Sequence, residues 1–264
     1  MRPDVINFLA NKLVNNPVML GLNLFMYLGF WVFFFIARNV MKMKLEDAQI
    51  TSYELVSAGG CLFLGLSGVA IWFLDYGDIM SVKIDIYKNN DAIIDFIVVP
   101  MFFYQLWNTL CSLLIPKYRT FPNLLHHITT ATCSVVCMTP LHLYYITYFF
   151  GLSEVSSVPL CFVLIVQQLK IQGGIVKTIC EGAFGLSFFY FRIFYFLYVM
   201  KDFWRDCWIA YQRSLTTHVE ELGGIWALFI ISVIITLLQF YFAQKIISAA
   251  FGGEKKLEGK NRDD

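Results

Sequence analysis

His126 and His127 are the residues of this chain best suited to chemistry, because a neutral imidazole can take or give a proton and can also attack a carbonyl. They follow Thr120-Phe121-Pro122-Asn123, a helix start with proline in the first turn. Downstream, Glu154 and Arg192 stand in otherwise apolar runs and carry opposite charge, while Gln105 and Asn108 place two amides in a third run. An ionisable group at the centre of a bilayer costs roughly 2.5 to 3.5 kcal/mol on insertion scales, so it turns towards protein or water. His126, His127 and Glu154 are therefore expected on one internal cavity, and Glu154 is expected to pair with Arg192. On a helix His127 shares a face with Thr130 and Ser134, whose hydroxyls would carry a polar stripe deeper into the membrane. That makes His127 the leading functional residue and His126 its supporting partner. No metal is expected: adjacent helical residues point about 100° apart, so one ion cannot easily take both histidines. The seven cysteines lack the paired spacing of a zinc site, and their odd count excludes a complete disulfide set.

The elements that must position these groups follow from composition. Of 264 residues 58% are hydrophobic and only 15% charged, against roughly 25% charged in a soluble domain. So few charges cannot cover a core of this size, and lipid must cover much of it. A net charge of +1 with no basic run between aromatics excludes a nucleic-acid surface. Seven apolar runs are long enough, or nearly so, for a hydrocarbon core of roughly 30 Å: 18–37, 55–74, 96–115, 124–138, 141–166, 182–200 and 223–243. The first is too long for a cleaved leader and follows the charges Arg2 and Asp4, so it is expected to stay as an anchor. Ser57, Gly59, Gly60, Gly65, Ser67 and Gly68 would let a neighbour approach the second run closely. The fourth run ends before Pro140. Gly151, Ser153 and Pro159 cluster near the middle of the fifth, which reads as a broken helix.

These residues, in this order, resemble the TLC-domain family, which includes the ceramide synthases and the translocating-chain-associating membrane protein. The likeness rests on His126-His127-Ile128-Thr129-Thr130 and on Phe149-Phe150-Gly151-Leu152-Ser153-Glu154-Val155-Ser156-Ser157-Val158-Pro159. It continues in the aromatic-plus-arginine stretch Gly185 to Ile193 and in Leu238 to Ile247. Where the ceramide synthases carry His-Asp-x-x-Asp, this chain has Ser153-Glu154-Val155-Ser156-Ser157: the first acid is kept as Glu154 and the second is replaced by Ser157. In this it is more similar to TLC-domain-containing proteins outside the ceramide synthase group. Gly60 stands where such relatives often carry a further histidine.

The resemblance implies an all-α polytopic membrane protein of about seven transmembrane helices, six of them forming a bundle around a central cavity. Residues 1–46 would hold the first helix, 47–250 the TLC domain and 251–264 a disordered cytosolic tail. The implied function is membrane-lipid homeostasis, acting on or binding phospholipid or sphingolipid acyl chains. Two alternatives stay open: a ceramide-synthase-like acyltransferase with acyl-CoA as substrate, and a non-enzymatic cargo or translocation partner. Catalysis, if any, would fall to His126, His127 and Glu154, and substrate contact to Thr130, Ser157 and Arg192. No cofactor is implied, the expected partners are membrane lipids, and the expected compartment is the endoplasmic reticulum.

With an outside N-terminus, 12 of the 20 Lys and Arg residues fall on cytosolic segments and 7 on outer ones, leaving Arg192 within the membrane. A glycosylation acceptor attached after Asp264 is accordingly expected to remain unglycosylated in cells. A gel shift reversed by glycosidase would invert the orientation.

Overall fold

Asn16 opens the first helix. Its side-chain oxygen accepts the backbone N–H groups of Val18 and Met19 at 3.0 and 3.3 Å, and Pro17 takes the first turn, where its missing donor costs nothing. This helix, α1, runs Pro17–Phe35 and continues through a π turn at Ile36–Val40. In the computed structural model, which describes residues 7, 11, 15–74, 90–138, 143–171, 174–215 and 222–260, every regular element is helical. After α1 come α2 (Leu45–Leu74), α3 (Asp91–Leu114), α4 (Phe121–Cys137), α5 (Leu143–Gln168), α6 (Ile175–Arg213) and α7 (Leu222–Lys260). All but α4 are long and apolar enough to cross a membrane, so the chain is an all-α, multi-pass membrane protein. With 17 residues, about 26 Å of helix, α4 lies at the lower limit for a crossing.

The helices outrun the apolar stretches that announce them. α2 begins at Leu45, not near residue 55, with Glu46 and Asp47 in its first turn, where carboxylates meet the positive end of the helix. α6 extends well beyond 182–200 at both ends. Its polar ends are laced by Lys177–Glu181 at 3.7 Å and Arg205–Asp202 at 3.1 Å, pairs that support helix rather than end it. Backbone helix in α7 continues through residues 251–260, the first part of the expected tail. Arg2, Asp4, Lys12, Lys83, Lys88, Pro140, Leu141 and residues 261–264 lie outside the described residues.

Packing centres on α2, whose small residues act as seats. A Cβ on Gly59 would meet the Phe25 ring of α1 at 2.5 Å, and one on Gly60 would meet the Tyr104 ring of α3 at 2.7 Å. At Gly68 the neighbour is backbone: an added Cβ would lie 2.5 Å from the carbonyl carbon of Gly151. α5 rests there because its own path is irregular, passing from a π turn at Thr147–Gly151 to a 3-10 segment at Leu152–Ser156 before Ser157–Gln168 resumes as α-helix. Pro159 lacks an N–H for the Val155 carbonyl. Such breaks are tolerable within a membrane where protein covers them. α1 lies outside the bundle against α2, burying Met19, Leu22 and Met26 while Leu28 and Trp31 face outward. All seven cysteines are free, and six are buried.

Since backbone cannot move aside as a side chain does, Gly68→Ala is expected to lower the unfolding free energy by roughly 1 to 3 kcal/mol. Gly182→Ala, where an added Cβ meets nothing within 4 Å, should be neutral or slightly stabilising. Thermal unfolding of the two purified variants in one detergent checks the contrast.

Candidate functional site

The expected ion pair is formed, and each partner sits where a helix leaves α geometry. Glu154 lies in the 3-10 segment of α5 and Arg192 in a π segment of α6, Phe189–Phe194. Arg192 Nη2 is 2.9 Å from Glu154 Oε1, and both side chains are about nine-tenths buried. The guanidinium also donates from Nε to Ser156 Oγ at 2.8 Å and from Nη2 to Ser157 Oγ at 2.7 Å. The other carboxylate oxygen of Glu154 accepts from Cys61 Sγ of α2 at 3.5 Å. Charge-assisted bonds of this kind are the strong ones, and here they tie three helices together.

His127 is buried on α4, and its Nδ1 lies 2.6 Å from Oε1 of Gln105 on α3. With the Gln105 amide oxygen facing it, Nδ1 is assigned as the protonated nitrogen, which leaves Nε2 the free lone pair. The two imidazole rings are 5.4 Å apart, and His126 also meets Phe242 of α7 edge-on at 6.3 Å. Nδ1 of His126 is buried without a hydrogen-bond partner.

Both histidines, Glu154, Ser157 and Arg192 line one cavity of about 320 Å³. Every helix from α2 to α7 contributes to its wall and α1 does not, as expected for a six-helix bundle with one helix added at the N-terminus. Along the chain the lining comes from the early part of α2, the end of α3, the start of α4, the second half of α5, the first half of α6 and the later part of α7. Helices that alternate in direction bring all these parts to the same half of the bundle. The cavity therefore occupies the half from which the C-terminal end emerges.

Thr130 departs from expectation. It is buried and is not part of the cavity wall, and its hydroxyl donates to the His126 carbonyl of its own helix at 2.8 Å. Ser134 donates likewise to the Thr130 carbonyl at 3.0 Å, so no polar stripe runs deeper along α4. Intrahelical back-bonding is the ordinary solution for a hydroxyl in a membrane helix. Glu154 and the histidines share the cavity, but among the described residues Glu154 is hydrogen-bonded to Arg192 and Cys61 and to neither imidazole.

Sequence reasoning missed Glu54. This second carboxylate of the wall is buried one residue before the apolar run begins, and it accepts a hydrogen bond from Tyr118. Burial, and then the neighbouring Glu54 charge, hold the Tyr118 hydroxyl well above its usual range, so it stays a donor. Tyr53 beside it donates to Asn108 Oδ1 at 2.9 Å and stacks on Trp107. Tyr104 was missed as well: its ring occupies the space over Gly60, and its hydroxyl lies 3.0 Å from Cys61 Sγ.

The family model of the TLC domain matches residues 52–248, a stretch that includes every residue of this cavity. No curated protein and no solved structure matches the chain.

Glu154→Gln leaves a buried guanidinium without its counter-ion, which typically costs roughly 3 to 5 kcal/mol. The single variant is expected to lose folded yield and unfolding temperature, and Glu154→Gln/Arg192→Gln to regain part of both. Equal melting of wild type, single and double variants in detergent would contradict a structural role for the pair.

Proposed function

The chain belongs to the TLC-domain family, and we propose on that footing that its cavity receives a membrane lipid and that the protein serves membrane-lipid homeostasis. TLC domains are associated with lipid metabolism and sensing in membranes. The observation that carries the reading is the make-up of one wall. His126, His127, Arg192 and Gln105 line the same space as the apolar side chains of Leu160, Leu164, Phe184, Phe242 and Ile246. An amphipathic molecule fits such a wall, with its polar group near the imidazoles and an acyl chain along the apolar residues. The ligand class is phospholipid or sphingolipid. The compartment is the endoplasmic reticulum, with the cavity on the cytosolic half.

A second reading, an acyltransferase drawing on acyl-CoA, is favoured by one feature. Gln105 holds the ring of His127 so that the lone pair of Nε2 is free to take a proton from a hydroxyl or amine, or to attack an acyl carbon. Against it stands the state of Glu154. A carboxylate already neutralised by Arg192 does little to stabilise an imidazolium, and the group holding His127 is a neutral amide. Lipid binding therefore ranks first.

Cells lacking the protein are expected to show altered acyl composition in phospholipids or sphingolipids. Wild type should restore it, and His127→Ala at equal expression should not. Lipid mass spectrometry is the measurement, and an unchanged profile in the deficient cells would end the reading. Transfer of label from acyl-CoA to lipid by the purified protein would move the acyltransferase reading to first place.

A further inference from the structure

The cavity is not closed on every side. The first half of α6, Ile175–Phe188, packs on α5, whereas the π segment Phe189–Phe194 and the second half, 195–213, pack along α7. No comparable packing joins the first half of α6 to α7 among the described residues. The two helices run together at one end and diverge at the other, like the arms of a V. Both arms supply cavity wall, Phe184 and Phe188 on one and Phe242 and Ile246 on the other.

A further observation places open space at the divergence. A Cβ added to Gly182 or Gly185, on the diverging arm, would meet nothing within 4 Å. Phe184, Phe242 and Ile246 are half-buried, as are Leu160 and Leu164 of α5 in the same wall. The outer face of that arm is apolar, with Ile179 60% and Leu186 79% exposed in a membrane-spanning helix, so what lies outside it is hydrocarbon.

We propose that the gap between the first half of α6 and the stretch of α7 around Phe242 and Ile246 is a lateral portal, through which a phosphate-bearing membrane lipid passes its acyl chain from the bilayer into the cavity. The inference rests on the lipid-binding reading and adds the route and the headgroup chemistry. Three features fix the occupant. The gap is continuous with a cavity whose wall is amphipathic, its rim carries Phe184, Phe242 and Ile246 with the exposed Lys177–Glu181 pair one turn away on α6, and a cation without such pairing among the described residues stands on the α7 side. That cation is Lys245 of α7, an exposed cavity-lining residue. Its ammonium lies 5.2 Å over the Tyr241 ring and forms no ion pair with a described residue. Lys245 stands near the end of the apolar part of α7, where a long basic side chain reaches the headgroup layer and can meet a phosphate. A chain entering beside it would pass Phe242 and Phe184 before reaching Leu160 and Leu164 of α5. The donor leaflet is the one on the side where the C-terminal end emerges.

The test uses the full-length protein in nanodiscs doped with either of two probes, a phosphatidylcholine or a diacylglycerol carrying the same diazirine acyl chain. After irradiation, labelled peptides are located by mass spectrometry. The phosphatidylcholine probe is expected to label the rim at Phe184, Phe242 and Ile246 and the interior at Leu160 and Leu164. Gly185→Trp should plug the gap and cut interior labelling at least fivefold while labelling of the α1 face at Leu28 and Trp31 is unchanged. Gly182→Trp serves if Gly185→Trp unfolds at a lower temperature than wild type. Lys245→Gln should bring interior labelling by phosphatidylcholine down to the diacylglycerol level. Interior labelling that survives a folded plug variant would overturn the portal and leave the lipid-binding reading standing. No interior labelling by either probe would overturn that reading itself, and equal labelling by both in wild type would remove the phosphate from the proposal.

Discussion

A charge held in a low-dielectric interior must be met by another, and much of this molecule is arranged around meeting two of them. Glu154 and Arg192 reach each other only because α5 tightens to 3-10 geometry and α6 widens to π geometry where they stand. Either change of pitch rotates the side chains that follow it, and together they aim both groups into the bundle. The seat of α5 on Gly68 fixes the depth at which this happens, and it brings Cys61 within reach of the same carboxylate. Such a pair adds little to net stability, but removing half of it is costly. What it secures is arrangement: α2, α5 and α6 cannot slide past one another without exposing an ion to hydrocarbon.

The parts of this arrangement that were legible in the sequence are those with a strong physical signal. Glu154 and Arg192 stood out because charge is rare in apolar runs, and their pairing follows from sign alone. The glycines of α2 announced close packing, and the break in α5 was marked by Gly151 and Pro159. Glu54 was hidden by the same logic. An apolar window stops at the first charge, whereas the helix runs on to Leu45, so a buried carboxylate falls just outside the window. The place of Thr130 outside the cavity wall is hidden for a different reason. Helical spacing gives the face on which a hydroxyl sits, but not whether its own backbone takes the hydrogen bond first. Which group orients His127 was also beyond reach, since the pairing with Gln105 depends on how α3 and α4 pack.

The site differs in kind from an acid–histidine arrangement. An amide fixes the tautomer of His127 without supplying charge, and the available carboxylate is bound to arginine and thiol. Glu54, the second carboxylate of the wall, is engaged by Tyr118 rather than by a cation. The ring of Tyr104 takes up the volume that the glycine at position 60 leaves open, so the interior is shaped there by a phenol reaching from α3. They suit the proposed lipid site, in which amides and imidazoles stand beside an apolar wall.

The shortness of α4 bears on how the protein is made. Seventeen residues that include two histidines, an asparagine and several hydroxyls form a poor membrane segment on their own by any insertion scale. α3 before it is long and apolar enough to cross, and only a turn around Pro116–Tyr118 separates the two. The pair is therefore suited to entering the bilayer as a hairpin, with α4 carried in by its neighbour during synthesis. Until α5 to α7 arrive, the polar face of that hairpin has few partners. The helix that brings the imidazoles is thus also the one whose biogenesis depends most on the rest of the chain.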